Sequence, residues 1–390
     1  MTEKRNITKE DIYLKARLNA EGVRYRVEGS GKKRGGGGFI LDGCELPVMV
    51  FPNPFSRLEL IYEDSMVTIT DMGKTIGTGK VAGSGIPFIS IPLSYGCHNR
   101  AMGLPCRYCN KNWGKAGVEP ITPEVREQAV RMVDRAVSII QQGWRGPVIF
   151  SQGVLPPDQR QEIDGLLENA MSRFRASLDK DVFRDLQFAP NVYPPDDFDD
   201  MLRWKEMGFN SVLFDLEVMD TAYWNAICPG KATTYTHAYW KEAQEAAAEI
   251  FGRGRGSVSS TVVGVEPMDS LVEGIEERIS KGVYTIGYMF YPAPGSAYEG
   301  FRPPTAPWFV KATEKIIDAY MKHADTQDVS LLDDERPGYT QRGRSLGNII
   351  IEDEMTRRLQ EMGKLPPGLP DRGYAKALDW GKMKRPYDKE

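Results

Sequence analysis

The spacing of apolar residues changes rhythm along the chain. Residues 1 to about 30 read as a helix through "KEDIYLKARLNAEG", where apolar positions recur at helical spacing until Gly22 stops it. Residues 39–85 carry short apolar runs between turn signals: "FILDGCELPVMVF", "SRLELIY" and "SMVTITDMG". These predict the short strands of an N-terminal cover. The middle of the chain alternates differently. Apolar, β-rich runs at 87–94 ("PFISIPLS"), 147–151 ("PVIFS"), 186–193 ("LQFAPNVY"), 211–217 ("SVLFDLE"), 257–264 ("SVSSTVVG") and 283–291 ("VYTIGYMFY") are separated by amphipathic stretches such as "PEVREQAVRMVDRAVSIIQQ". From about 305 the alternation stops. "APWFVKATEKIIDAYMKHA" predicts one more helix, and 326–390 an extended wrap with a short helix, "IIIEDEMTRRLQEMG". The apolar "NIII" (Asn348 to Ile351) predicts that part of this tail packs on the body.

Six βα units in sequence predict an α/β fold with a parallel sheet and right-handed crossovers. The pattern is two units short of an eight-fold barrel. In such a sheet the chemistry is expected at the carboxyl ends of the strands. The expected division is a helix and β-rich cover over 1–86, a core over 87–304, and a C-terminal helix with extended tail over 305–390.

A cysteine array follows the first of these six strands. "SYGCHNRAMGLPCRYCNKNWG" places Cys97, Cys106 and Cys109 in a C-x8-C-x2-C spacing, three of the chain's five cysteines. An odd number of thiols argues against a disulfide framework. A structural zinc site takes four ligands, with His98, Cys44 or Cys228 as candidates for the fourth. A [4Fe-4S] cluster also takes four, normally thiolates. With three from the protein, one iron is left open to a small molecule. Three features favour the cluster: the loop's place after the first βα strand, aromatic Tyr108 before the last cysteine, and the lack of any second C-x2-C or H-x3-H.

The array, its position and the six βα units resemble the radical S-adenosylmethionine (SAM) superfamily. The usual spacing there is C-x3-C-x2-C, so this is a variant. Over roughly 87–300 the likeness is greatest to the biotin-synthase-like branch. It is carried by the stretch from Asn210 to Pro267 and by "YPAPGS" (Tyr291 to Ser296) after the sixth strand. The resemblance implies a partial (β/α)6 TIM-like barrel. It also implies SAM chelating the open iron through its amino nitrogen and carboxylate, and one-electron cleavage of SAM to a 5'-deoxyadenosyl radical that abstracts hydrogen from a small-molecule substrate. A reductant such as flavodoxin or ferredoxin would supply the electron.

The resemblance also nominates residues. Tyr108 would lie near the adenine. Ser151, Gln152 and Gly153 occupy the place of the family's Gly-Gly-Glu turn, without its glutamate, and would offer polar groups to the SAM ammonium. Asp215 and Glu217 lie two apart on the fourth predicted strand, so they share a face. If that face is inward, ribose hydroxyls and an ammonium would satisfy two carboxylates that are costly to bury unpaired. Arg253 and Arg255, in "FGRGRGS", suit a carboxylate, and Val262 sits where the family's fifth strand touches adenine. Each has a plain alternative: a packed loop tyrosine, an ordinary turn, carboxylates paired outward, a solvated basic turn, a core valine.

Composition narrows this further. The chain has 390 residues, 27% of them charged, with a formal net charge of -4. That gives no electrostatic argument for nucleic acid or an anionic membrane. A polar start and no long apolar run point to the cytoplasm. Only Cys44 and Cys228 lie outside the array, too few for an auxiliary cluster. No D-x-H-x-x-G cobalamin signature is present, and "GKTIGTGKVAGSG" lacks a phosphate-loop frame. What remains is single-radical chemistry of rearrangement, lyase, cyclisation, epimerisation or dehydrogenation type. The alternative is a zinc- or iron-sulfur-stabilised binding or electron-transfer protein.

Overall fold

Among the described residues, two six-stranded sheets organise the chain, one for each of its β-containing rhythms. The structure, a computed structural model, describes residues 5–28, 39–44, 46–48, 50–64, 66–81, 88–94, 96–110, 123–144, 146–323 and 348–364. The first helix, α1 (Lys9–Glu21), begins at a capping box in which Thr8 and Asp11 satisfy each other's backbone. Arg5 clamps Asp11 at 2.6 and 2.9 Å. Gly22 ends the helix at φ 63°, and a Cβ there would strike the Phe51 ring at 2.7 Å.

The N-terminal sheet contains β1 (Arg24–Glu28), β2 (Phe39–Leu41), β3 (Pro47–Val48), β4 (Leu58–Glu63), β5 (Met66–Asp71) and β6 (Lys74–Val81), in the order β1-β4-β5-β6-β2-β3. All pairings are antiparallel except β1 with β4. Leu58 and Leu60 on β4, and Val67 and Ile69 on β5, point to its buried side, as strand alternation requires. Cys44 is buried in the same core.

The second sheet holds β7 (Ile89–Pro92), β8 (Val148–Ser151), β9 (Phe188–Asn191), β10 (Val212–Leu213), β11 (Gly254–Val263) and β12 (Val283–Met289), paired in chain order and all parallel. The connections carry helices: α2 (His98–Ala101), α3 (Pro123–Gln141), α4 (Glu162–Ser177), α5 (Lys180–Asp185), α6 (Asp200–Met207), α7 (Thr221–Ile227), α8 (Pro229–Ala232), α9 (His237–Phe251) and α10 (Met268–Ser280). Each expected βα strand is found. β8 begins with three buried residues, β9 likewise, and β12 with five, the continuous burial of a parallel sheet covered on both faces.

After β12 come α11 (Ala306–Lys322) and α12 (Asn348–Glu361). Lys9 of α1 pairs with Glu314 of α11 at 2.6 Å, and Arg358 of α12 pairs with Asp318 of α11 at 2.6 Å. Ile350, Met355 and Leu359 bury the inner face of α12, so this part of the tail does pack on the body. The rest of the expected wrap lies outside the described residues. Among the described residues no helix is long and apolar enough to cross a membrane.

Candidate active site

The carboxyl ends of the six parallel strands meet the cysteine loop. Leaving β7, the chain turns at Gly96 (φ 101°), and Cys97 caps α2 in an extended conformation. The His98 amide donates to the Val154 carbonyl at 2.7 Å, tying the loop to the segment after β8. Gly153 explains how closely the two approach: a Cβ on it would lie 1.7 Å from the Gly96 oxygen and 3.1 Å from the Cys97 Cα. The Cys109 amide donates to the Cys106 carbonyl at 3.0 Å in a tight turn, and Arg100 donates to the Cys109 carbonyl at 3.0 Å. From the far side, the Arg107 amide and guanidinium donate to Ile227 and Ala226 at 2.9 and 2.6 Å. The backbone therefore fixes all three cysteines. Each is partly accessible.

The carboxylates fall just beyond a shorter strand than expected. β10 is two residues long, and Asp215 and Glu217 follow it. Asp215 is held on both oxygens, accepting from Asn191 Nδ2 at 3.0 Å and the Ser260 amide at 2.9 Å. Glu217 sits at φ 76°, a left-handed conformation that costs a non-glycine residue energy. Its backbone is gripped by β11: its amide donates to Ser260, and its carbonyl accepts from the Val262 amide and the Thr261 hydroxyl, all within 2.9 Å. Its carboxylate reaches Lys231 at 3.3 Å. Leu216, between them, is fully buried.

Lys231 is the chief residue that sequence reasoning missed. Its side chain is 8% exposed, donates to the Asp215 carbonyl, and lies 4.4 Å over the Trp240 ring. Burial works against its charge, but the Glu217 carboxylate and the nearby Cys106 and Cys228 sulfurs outweigh it, and its pKa is raised. Cys228 is fully buried, and the bond from the Arg107 amide to Ile227 sets it beside Cys106. The Cys106 pKa is lowered, chiefly by Cys228 and further by Lys231, against the opposing effect of burial. Burial and the neighbouring Glu217 and cysteines push the Tyr108 phenol well above its ordinary range. Asn99 of α2 donates to the Tyr193 hydroxyl at 2.8 Å, and burial pushes that phenol above its ordinary range. Tyr291 after β12 stacks on Phe51 at 5.7 Å and so joins the N-terminal cover to this end of the sheet.

Of the remaining candidates, Ser151 hydrogen-bonds Ser90 at 3.0 Å. Gln152 has a buried Oε1 with no hydrogen-bond partner. Val262 is buried beside Glu217. Arg253 and Arg255 do not join the site. They stand at the amino end of β11, separated from Val262 by about 23 Å of strand or more. Arg253 is exposed and donates to the Ser280 carbonyl at 2.8 Å. The side chain of Arg255 is outside the described residues. The sequence places both arginines before a short strand. β11 starts earlier, at Gly254, which puts them at the wrong end.

The donors suit the implied groups. Three partly accessible thiols on one clamped loop are the ligand type of an iron-sulfur cluster. The orphaned Gln152 oxygen is an acceptor that an ammonium group would satisfy, on the turn that touches the Cys97 backbone. Among the described residues, no three His, Cys, Asp or Glu side chains converge as they would around a single metal ion.

No family model matches the chain. It is 37% identical over 404 aligned residues to the bacteriochlorophyllide c C-7(1)-hydroxylase of Chlorobaculum limnaeum, across 95% of this chain and 100% of that one. Among solved structures, an alpha-amylase from H.orenii is similar over 48% of this chain and 39% of its own, at 15% identity and a TM-score of 0.27, a likeness too slight to carry an argument.

Proposed function

Because the chain belongs to the family of the bacteriochlorophyllide c C-7(1)-hydroxylase, we propose that it is a radical SAM enzyme that oxidises a carbon of a chlorophyll-type tetrapyrrole. The observation that carries this is the clamped three-cysteine loop at the carboxyl ends of six parallel strands, beside the unpaired Gln152 oxygen and the Glu217–Lys231 pair. Hydroxylation takes the place of the rearrangement, lyase or cyclisation expected from sequence, because the relative's name specifies it. Cys97, Cys106 and Cys109 would hold a [4Fe-4S] cluster with one iron left for SAM. When bound, these two groups would supply hydrogen-atom abstraction, which an unactivated alkyl C–H bond needs before oxygen from water is added, with SAM, split to methionine and 5'-deoxyadenosine, as the two-electron oxidant.

The protein's own residues orient and shield. Gln152 Oε1 accepts from the SAM ammonium. Tyr108 and Val262 flank the adenine, with Ser151 and Gly153 shaping the turn beneath. Asp215 is already satisfied by Asn191 and Ser260, so it braces β9, β10 and β11. Glu217 acts through Lys231. We take the six βα units over 87–304 as a partial barrel and catalytic core, 1–86 as its cover and 305–390 as its wrap. A low-potential donor of the flavodoxin or ferredoxin kind supplies electrons.

The test is anaerobic turnover with reductant, SAM and bacteriochlorophyllide c. The expected result is 5'-deoxyadenosine released faster with the pigment than without, and a product heavier by one oxygen. Release indifferent to the pigment would remove the substrate class. Formation of S-adenosylhomocysteine alone would remove the radical reading.

A further inference from the structure

We propose that the turn from Cys228 to Lys231 tunes the cluster: the Cys228 thiol donates a hydrogen bond to the Cys106 sulfur, and the Lys231 ammonium sets a fixed positive charge beside it. Both are positioning residues that act through Cys106, and the inference rests on the cluster reading above.

The placement is built into the fold. Cys228 lies between α7 and α8, its amide donating to the Trp224 carbonyl at 2.8 Å. Pro229 opens α8, and Gly230 packs so closely on α2 that a Cβ would meet Asn99 at 2.3 Å. This contact joins the turn to the helix that Cys97 caps. Neither side chain has freedom to face elsewhere. Cys228 is fully buried and follows Ile227, whose carbonyl accepts from the Arg107 amide at 2.9 Å, so it adjoins Cys106; Lys231 is enclosed by the Trp240 ring, the Asp215 carbonyl and the Glu217 carboxylate.

Burying an ammonium is costly unless it is paired. Here the pairing carboxylate sits on a backbone held in a left-handed conformation. A site that needed only packing would be served by a leucine or methionine.

Cys228 as a fourth iron ligand is the rival reading. Four thiolates would occupy all four irons and leave none for SAM. As a donor, Cys228 leaves the open iron open. Reduction adds one electron, from the external donor, and makes the cluster more negative. A hydrogen bond to a ligand sulfur and a nearby positive charge both stabilise that form, and raise the reduction potential.

The experiment is a redox titration followed by electron paramagnetic resonance, on anaerobic protein with its iron counted first. Cys228→Ala and Lys231→Met are expected to keep the wild-type iron content and titrate at a more negative potential. Cys228→Ser, which retains a donor, and Lys231→Arg, which retains the charge, should lie nearer the wild type. Loss of iron in Cys228→Ala would make it a ligand and overturn the inference. So would unchanged potentials in both Cys228→Ala and Lys231→Met. If Lys231→Met does not fold, the Cys228 pair decides alone. A wild-type chain that holds no four-iron cluster would instead sink the reading on which the inference rests.

Discussion

Replacing Gly153 with alanine separates the architecture of the cysteine loop from the stability of the sheet. The new Cβ would lie 1.7 Å from the Gly96 oxygen, where ordinary contact begins near 3.4 Å. The two segments must therefore move apart by about as much again. The obstacle is backbone, which cannot rotate away as a side-chain tip can. Gly96 is itself in a left-handed turn, and the next residue is Cys97. The displacement therefore falls on the ligand loop. Overpacking of this kind costs about 1–3 kcal/mol, a small part of the stability of a large domain. The expected result is a folded protein that binds much less iron on anaerobic reconstitution. Gly165→Ala is the control. Gly165 is exposed on α4 with nothing within 4 Å of a built Cβ, so alanine should stabilise by roughly 0.5–1 kcal/mol without touching iron. A Gly153→Ala protein with wild-type iron content and denaturation midpoint would refute the claim that this turn fixes Cys97.

Other perturbations test the buried charges. Glu217→Gln leaves the Lys231 ammonium buried without its carboxylate, and should cost on the order of 3–5 kcal/mol in denaturant unfolding. Adding Lys231→Met should recover part of that loss, and strict additivity of the two would count against a direct pair. Lys15 on α1 is 1% exposed, and burial lowers its pKa from 10.5 to about 7. Between those values the unfolded chain binds the extra proton, so this residue makes stability rise with pH across that window. Below it, the full cost applies, at most about 5 kcal/mol. Lys15→Met should therefore flatten the rise of urea stability between pH 7 and 10, and an unchanged slope would contradict it.

The core sheet was legible because its strands are buried on both faces and read as apolar runs between amphipathic helices. The N-terminal cover was only partly so. β6, "KTIGTGKV", is not among the runs that predict the cover's strands, because its glycines hide the alternation. The structure explains Gly79: a Cβ there would meet the Ile40 oxygen at 2.5 Å across the β2–β6 pairing. "SVLFDLE" reads as a seven-residue strand, yet regular pairing ends at Leu213, and bonds to β11 hold Glu217 in its unfavourable conformation. The three cysteines announced themselves by spacing alone. Lys231 did not, because its partner Glu217 comes from another element, and Cys228 entered only as one of three candidates for a fourth ligand, since Cys106 lies far off in sequence. The one available signal was "CPGK", a cysteine and lysine around a Pro-Gly turn near the mouth of the sheet.

The central claim is that Cys97, Cys106 and Cys109 hold a cluster with one iron open to SAM. It is tested most directly by counting iron in the anaerobic protein and recording the electron paramagnetic resonance of its reduced form with and without SAM. The account predicts about four irons per chain, lost when any of the three cysteines is replaced by alanine, and a spectrum that changes when SAM is added. One zinc and no iron, or a cluster spectrum indifferent to SAM, would contradict it.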